Sequence, residues 1–258
     1  MIDSHVHLND EAFYGKVDET VMAARAAGVT AFICVGFDTA TNRIALEIAH
    51  QYPFVYCTLG FHPSIAQNVT EKDIIEFERL LEDPKVVAIG ECGLDYYWDQ
   101  TYKDIQKQIF QYQIELANKT MKPLIIHMRD ASSDTLSMIR TFKHKDTEGV
   151  MHCYSGSVEM AQDFLKENLY ISLAGPVTFK NAVTPKAVAA AVPSDRLLIE
   201  TDSPYLAPSP NRGKPNSPAF LPLVLSAVAT LRNMDMSEME RITEENTRRL
   251  FKLPAYRE

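Results

Sequence analysis

Two histidines stand one residue apart near the start of the chain, in the stretch MIDSHVHLND. Side chains of a β-strand alternate between its two faces, so His5 and His7 would share one face while Val6 lies on the other. Two neutral imidazoles on one face can hold a metal ion, since histidine nitrogen is a common ligand of divalent metals. A solvated or partly buried histidine pair would have the same sequence, so the metal interpretation requires further ligands elsewhere.

Four more residues of metal-binding type follow apolar runs, where predicted strands end. Glu91 follows VVAIG, His127 follows PLII, His152 follows GVM and Asp202 follows RLLIET. Each alone has a structural explanation, such as a satisfied core histidine, a carboxylate paired with arginine, or an aspartate that starts a turn. In a parallel barrel, however, these strand ends meet at one mouth. Four histidines and two carboxylates there favour a metal centre, because divalent metals use this mixture of ligands.

The number of candidate ligands predicts two divalent ions, since six exceed what one four-coordinate zinc with an open position uses. Glu91 is the predicted bridge, because each of its two oxygens can face a different ion. His5, His7 and Asp202 would complete one ion, and His127 with His152 the other. Two such ions carry more positive charge than two carboxylates cancel, so the pocket would attract an anionic substrate.

Apolar strand-like runs alternate with amphipathic helical stretches along the chain. Eight strand candidates begin at Met1, Val29, Val55, Val86, Pro123, Gly149, Leu169 and Arg196. Apolar strands separated by helices indicate a parallel sheet covered on both faces, and eight such units close a (β/α)₈ TIM barrel. The alternative is an open doubly wound sheet, although no G-x-G-x-x-G follows the first strand. The Pro-rich segment 203–222 is predicted as a long loop, because helical sequence resumes after it.

Length, charge and cysteine usage limit the class of protein. With 258 residues and 46% hydrophobic content, one domain over residues 1–258 is expected. The net charge of -8 argues against a protein that coats nucleic acid through a general basic surface. Four scattered cysteines without a C-x-x-C pair suit a reducing cytoplasm. Neither a secretory leader nor an apolar run of about 18 residues is present, so we expect a soluble cytoplasmic protein, compatible with a monomer.

Seven short motifs resemble a known family in the same order from residue 1 to about residue 218. They read DSHVH, GFHP, GECGLDYY, IIHMRDA, MHCYSGS, SLAGPVTFKNA and IETDSPYLAP, and they are similar to the successive motifs of TatD-type metal-dependent hydrolases. The resemblance implies an amidohydrolase-like barrel with divalent-metal-dependent deoxyribonuclease activity, often exonucleolytic, in the cytoplasm. It also implies the metal ligands that the strand ends predict, namely His5, His7, Glu91, His127, His152 and Asp202.

Two positions depart from this family pattern. Ser64 stands where family members often carry a second histidine after the GxHP motif. Ser217 stands where they often carry a glutamate before the proline of the RGKxN segment. Neither position belongs to the implied ligand set, so the departures concern substrate contacts more than the metal centre.

Metal-assisted hydrolysis of a phosphodiester is the chemistry that we expect from such a site. A water held between the ions would attack phosphorus, and the metals would stabilise charge on the attacking and departing oxygens. Asp202 would accept the proton of this water with the oxygen that is not bound to metal. His62 and Arg129 are candidates for phosphate contacts. For Arg129 the alternative is an ion pair with Asp95 or Asp130.

Aromatic and basic residues near the predicted mouth suggest contacts with single-stranded DNA or its 3′ ends. Tyr96, Tyr97 and Trp98 are consecutive and therefore cannot all point inward. They would either stack on exposed bases or pack the loop after the fourth strand. Arg212 and Lys214 could contact the nucleic-acid backbone or simply form a solvated turn.

Two other functions fit parts of the same pattern. A binuclear amidohydrolase, lactonase or esterase acting on a small molecule would use the same barrel. Many such enzymes bridge their metals with a carboxylated lysine on the fourth strand, whereas VVAIGECG offers Glu91, which favours the phosphoesterase. A catalytically idle binding barrel would be expected to lack ligands, and all six are present. The metal, Mg, Mn or Zn, and the choice of DNA or RNA stay open.

Overall fold

A computed structural model describes residues 1–98 and 100–254 of the chain, and these contain eight parallel strands. The strands are β1 Ile2–Val6, β2 Ala31–Val35, β3 Val55–Leu59, β4 Val86–Asp95, β5 Leu124–Arg129, β6 Gly149–Met151, β7 Leu169–Leu173 and β8 Leu197–Ile199. They lie in sequence order, and each pairs in parallel with the next. Their residues are almost all buried, because side chains fill the interior on one face and helices cover the other.

Backbone hydrogen bonds join the end of the sheet to its beginning. The backbone N–H of Asp202 donates to the His5 carbonyl at 3.0 Å, and that of His7 donates to the Ser203 carbonyl at 2.9 Å. The hydroxyl of Ser4 on β1 donates to the carbonyl of Ile199 on β8 at 2.9 Å. The sheet is therefore a nearly closed barrel. The predicted (β/α)₈ TIM barrel is confirmed, and the open doubly wound alternative is wrong.

Helices follow the strands and cover the outside of the barrel. They are α1 Val17–Ala26, α2 Thr39–Gln51, α3 Glu71–Leu80, α4 Lys103–Thr120, α5 Ser132–Phe142, α6 Val158–Lys166, α7 Val183–Ala191, α8 Leu221–Leu231 and α9 Met236–Leu250. Asp38 and Thr70 begin α2 and α3 with capping boxes, which satisfy backbone N–H groups that have no partner within the helix. Within the described ranges, no helix is long and apolar enough to cross a membrane.

Strand lengths near the mouth differ from those that the apolar runs predict. β4 continues four residues past Glu91 to Asp95, whereas β8 is short and ends at Ile199, before Asp202. The predicted long loop follows β8, and only the 3₁₀ helix Pro218–Phe220 precedes α8. The single domain over residues 1–258 stays a prediction, and its last four residues lie outside the described part of the chain.

Candidate metal centre

The barrel mouth brings together all six side chains that the sequence predicts as metal ligands. His5 lies on β1 and His7 directly after it, Glu91 lies within β4, and His127 lies on β5. His152 follows β6 and Asp202 stands in the loop after β8. Five of the six residues are buried and His127 is half-buried, so their polar atoms face one another rather than bulk water. We call this group the candidate metal centre.

One set of four donor atoms lies on the β1 and β8 side of the centre. His5 Nε2 lies 3.2 Å from His7 Nε2. Asp202 Oδ1 lies 3.7 Å from His5 Nε2 and 3.5 Å from His7 Nε2. Glu91 Oε2 lies 3.5 Å and 3.7 Å from the same two nitrogens. Tetrahedral ligands about 2.1 Å from a zinc ion would lie about 3.4 Å apart, so the four atoms have the spacing of a single cation's ligands.

A second set of three donor atoms lies on the β5 and β6 side. The other oxygen of Glu91, Oε1, lies 3.0 Å from His127 Nδ1 and 2.9 Å from His152 Nε2. The two histidine nitrogens lie 3.3 Å apart. Glu91 thus presents one oxygen to each set, which is the arrangement that a bridging carboxylate requires. The two sets are groups of the kind that can hold a metal ion.

Charge within the candidate metal centre is mutually compensated. Burial alone would raise the pKa of Glu91, but His152 and His127 hold that pKa well below its usual value. Burial would likewise raise the pKa of Asp202, and His7 with His5 lowers it. Both carboxylates are therefore anionic at neutral pH, as metal coordination requires.

The outward nitrogens of two histidines are held by acceptors behind them. His7 Nδ1 lies 2.9 Å from the Val35 carbonyl, and His127 Nε2 lies 3.0 Å from Asp95 Oδ2. An acceptor at one ring nitrogen fixes the proton there and leaves the other nitrogen free to bind a metal. Val35 thus directs His7 Nε2, and Asp95 directs His127 Nδ1, towards the candidate metal centre.

Glycine at position 93 allows β4 to pass close to His127. Its φ is +135°, and a Cβ added there would lie 2.0 Å from the His127 carbonyl oxygen. Residues two apart on a strand share a face, so Glu91 and Asp95 stand on either side of Gly93. The His127 ring spans the two carboxylates, with one nitrogen at each. A larger residue at position 93 would push β5 and His127 away.

His62 lies beside Glu91 as a neutral hydrogen-bond donor. It precedes the 3₁₀ helix Pro63–Asn68, and the Ser64 backbone N–H donates to its Nδ1 at 3.1 Å. The ring proton is therefore assigned to Nε2, which lies 3.5 Å from Glu91 Oε1. Burial, together with the neighbouring His127, lowers the pKa of His62 to about 3. Ser64, which departs from the family pattern, thus orients the His62 ring, since the Ser64 hydroxyl also lies 2.7 Å from Nδ1.

The aromatic run after β4 divides into one packed residue and two exposed ones. Tyr96 is buried and its hydroxyl donates to Asp134 at 2.8 Å, so it packs the loop. Tyr97 and Trp98 are exposed and meet edge to face, with ring centroids 4.8 Å apart. The Arg129 guanidinium lies 3.7 Å from the Tyr97 ring centroid. The sequence left open an ion pair between Arg129 and Asp95 or Asp130 instead of a phosphate contact. In the described ranges, neither aspartate forms that ion pair.

Three residues of the Pro-rich loop after β8 that the sequence singles out, Arg212, Lys214 and Ser217, contact other parts of the protein or face solvent. The Arg212 guanidinium lies over the Phe179 ring, 4.4 Å from its centroid, while Lys214 is exposed. Ser217 caps the 3₁₀ helix at Pro218, accepting from the Ala219 N–H at 3.3 Å. The departure at Ser217 therefore has a structural role.

Two acidic residues at the centre were missed by the sequence reasoning. Asp95 ends β4 and pairs with His127, while Glu200 directly follows β8 and lies 3.4 Å from His152 Nδ1. Glu200 carries the same signal as the predicted ligands, an acid after an apolar run, but Asp202 two residues later is the candidate that this run supplies. Asp95 lies four residues beyond Glu91, where the apolar run has already ended.

Two cavities open from the candidate metal centre. The polar cavity, of about 250 Å³, is lined by His7, His62, Ser64 and Glu91 among others. The apolar cavity, of about 500 Å³, extends over β5 to β8 and is lined largely by residues such as Leu173, Ala174, Pro176 and Val177. His127, His152, Asp202 and Tyr205 border both cavities. A substrate whose reacting group lies at the centre can therefore extend in two directions.

Comparisons with known proteins give similarity over nearly the whole chain. The model of a family described as TatD related DNase matches residues 2–252. A Bacillus subtilis protein, described as the uncharacterized metal-dependent hydrolase YabD, is 44% identical over 98% of this chain and 99% of its own length. The Edwardsiella piscicida protein named 3'-5' ssDNA/RNA exonuclease TatD is 34% identical over 98% of this chain and 100% of its own.

A solved structure gives the same result for the fold. The crystal structure of YJJV, a TatD homolog from Escherichia coli, superposes with a TM-score of 0.94 at 28% sequence identity, covering 98% of each chain. The similarity spans the barrel strands and the loops that carry the candidate metal centre.

Proposed function

Because the chain belongs to the TatD-related DNase family of metal-dependent hydrolases, we propose that it is a two-metal nuclease that cleaves single-stranded DNA from one end. The observation that carries this proposal is the position of Glu91, which offers one oxygen to each of two donor sets. His5, His7 and Asp202 would hold one ion, and His127 with His152 the other. The metal is Mg, Mn or Zn.

Two divalent ions held there would supply an activated water and neutralise charge on a phosphate. The protein's own groups then have distinct tasks. Asp202 directs Oδ1 into the donor set, and its second oxygen would accept the proton of the attacking water. The Nε2–H of neutral His62 donates to a phosphate oxygen from the polar cavity. Glu91, Asp202 and His62 therefore divide metal binding, proton transfer and charge stabilisation.

Nucleic acid as the substrate is supported by a relative's name and by the mouth of the barrel. The Edwardsiella piscicida relative is named a 3'-5' ssDNA/RNA exonuclease. At the mouth, Arg129 lies against exposed Tyr97 and Trp98, and such a cluster suits stacking on unpaired bases. A net-negative protein attracts a phosphate chain through the bound cations rather than through its whole surface.

Hydrolysis of an amide, ester or lactone is the second candidate, because the apolar cavity would also accept the carbon skeleton of a small molecule. The position of Glu91 favours phosphodiester cleavage, since the centre has a carboxylate where many amide-cleaving barrels use a carboxylated lysine. An idle binding barrel is disfavoured by the six donors that meet at the centre.

The test uses metal-free protein reloaded separately with Mg²⁺, Mn²⁺ or Zn²⁺. Single-stranded DNA labelled at the 5′ or the 3′ end, RNA of the same sequence, and a panel of amides and lactones are then supplied. We expect metal-dependent shortening of DNA from one end, and none with Glu91→Ala. Hydrolysis of an amide or lactone without cleavage of either nucleic acid would replace the proposal by the second candidate. DNA binding without any cleavage would support the idle barrel.

A further inference from the structure

The apolar cavity is continuous with the candidate metal centre. Its floor is formed by the end of β7 and the segment after it, where Leu173, Ala174 and Val177 are buried. Its inner edge is formed by His152 and Asp202, which also belong to the centre. One part of a substrate can therefore occupy the cavity while another part of the same molecule lies at the candidate metal centre.

The lining determines what kind of group fits. Among the residues that line the cavity within the described structure, Arg129 is the one charged side chain that does not belong to the candidate metal centre. The remaining walls are mainly aliphatic or proline, with Tyr154 and Tyr205 as aromatic walls. Its volume of about 500 Å³ is within the usual range for one small organic group, about 300–1,000 Å³. Flat, uncharged groups are favoured here, and sugar–phosphate is not.

We propose that the apolar cavity holds the nucleobase of the nucleotide next to the cleaved phosphate. This inference rests on the proposed nuclease function. The aliphatic and aromatic walls would contact the flat face of a base, which every base has, so the cavity would accept any base and would require only that one be present. The polar cavity would then receive the phosphate side of the substrate, where His62 and Ser64 lie.

The test compares single-stranded DNA with the same strand carrying one abasic residue at the terminal nucleotide. We expect kcat/KM for the abasic strand to be about tenfold lower, since stacking and apolar burial of a base are lost. Equal rates on the two strands would overturn the cavity assignment while leaving the nuclease function intact. Failure to cut either strand would instead count against the nuclease function itself.

A substitution that fills the apolar cavity tests whether the rate difference between the normal and the abasic strand arises there. Pro185 lines the cavity from the first turn of α7, where proline can be replaced without loss of a helical hydrogen bond. Pro185→Trp should slow cleavage of the normal strand. It should also remove most of the difference in kcat/KM between the normal and the abasic strand. Val183→Trp is the matched control, because Val183 is 79% exposed on the same helix and does not line the cavity. An undiminished advantage in Pro185→Trp would overturn the assignment.

A second inference concerns Glu200, which lies beneath both donor sets. It is 1% exposed, and its Oε1 accepts the Cys153 backbone N–H at 2.7 Å. The same oxygen lies 3.4 Å from His152 Nδ1, longer than a well-formed hydrogen bond. His5 stacks on His152 with ring centroids 4.0 Å apart, and donor atoms of His5, His152 and Glu200 lie within 4.8 Å of one another.

Three atoms of this group are buried without a hydrogen-bond partner among the described residues. They are His5 Nδ1, His152 Nδ1 and Glu200 Oε2. Two nitrogens and a carboxylate oxygen are complementary, since a ring N–H donates and the carboxylate accepts. Buried polar groups are rarely left unpaired, so small movements that join them are favourable.

The geometry points to Glu200 as a positioning residue for both metal sites. As acceptor for the Nδ1–H groups of His5 and His152, it leaves both Nε2 atoms as metal ligands. His5 belongs to one donor set and His152 to the other, so a single carboxylate would orient ligands of both ions. Partners of this kind typically alter metal affinity by about 10–100-fold.

Glu200→Gln tests this role in the purified metal-free protein, with Zn²⁺ or Mn²⁺ titrated against a chelator. We expect the affinity for each ion to fall about tenfold or more, and ¹⁵N NMR to show that His152 has lost its fixed Nδ1–H tautomer. Asp3→Asn is the matched control, because the buried Asp3 carboxylate bonds Thr201 rather than an imidazole. Unchanged affinity and tautomer in Glu200→Gln, or an equal affinity loss in Asp3→Asn, would overturn the assignment.

Discussion

The polar and the apolar cavity share the candidate metal centre but are built from different parts of the barrel. The polar cavity takes its groups from β4 and from the residues directly after β1 and β3. Backbone groups hold His7 and His62, while the surrounding histidines contact Glu91. The apolar cavity takes its walls from the ends of β5 and β7 and from the connections after β6, β7 and β8. The difference indicates a division of labour, in which strand ends fix the chemistry and longer connections determine which substrate fits.

Removal of the Glu91 carboxylate should have the largest effect, because both cavities border the donor sets that it joins. Glu91→Ala takes one oxygen from each donor set and leaves four histidines without their shared counter-charge. We expect loss of both ions and at least about a 1,000-fold fall in kcat, since several kcal/mol of transition-state stabilisation are removed. Metal analysis together with initial rates measures this, and a variant that retained both ions would contradict the bridging role.

The two cavities also differ in how far the sequence predicts them. Predicted ligands are polar residues where the strand pattern requires apolar ones, so their type and place identify them as candidates. They include His5, His7, Glu91, His127 and Asp202. Leu173 and Val177 have the composition of ordinary core, and only the chain path shows that they line a cavity.

Strand ends were the least predictable part of the barrel. β4 runs to Asp95 because Gly93 lets it pair closely with β5 beyond Glu91. Apolar periodicity ends at Glu91 and therefore gives no sign of this extension, which is why the partner of His127 was missed. Glu200 was hidden in a similar way within the run RLLIETD.

Loss of His62 should impair the polar cavity while leaving the ions in place. His62→Ala removes an N–H donor aimed at the phosphate, and one such donor is worth about 100-fold in kcat. The expected result is a fall of that size with metal content unchanged. His50→Ala is the control, because His50 is an exposed histidine paired with Asp83 away from the mouth. Loss of metal in His62→Ala would show that His62 is a ligand instead.

The pH dependence of metal binding should distinguish the two donor sets. Burial alone lowers the pKa of His152, but Glu91 and Glu200 raise it well above its usual value, and Asp95 with Glu91 raises that of His127. In the other set, burial and His152 lower the pKa of His5, while for His7 burial is outweighed by Asp202 and Glu91, which raise its pKa. A protonated nitrogen cannot bind metal, and both histidines of the His127 and His152 set have raised pKa values, so as pH falls that set should release its ion first.

Affinity should change about tenfold per pH unit for each proton that the metal displaces. Chelator-competition titrations at several pH values between 6 and 8 would measure the slope for each ion. His144→Gln should leave both slopes unchanged, since His144 is exposed and lies outside the candidate metal centre. Equal slopes of affinity against pH for the two ions would contradict the proposed difference in histidine protonation between the two donor sets.

The smallest expected effect concerns Arg129, which stands where the apolar cavity meets exposed Tyr97. An exposed cation–ring contact contributes about 0.5–1 kcal/mol, so Arg129→Ala should raise KM for single-stranded DNA about fivefold at most and leave kcat unchanged. Arg25→Ala removes a similar contact with Phe54, away from the metal centre, and should leave KM unchanged. A fall in kcat with unchanged KM in Arg129→Ala would move Arg129 from substrate contact to the chemistry of the polar cavity.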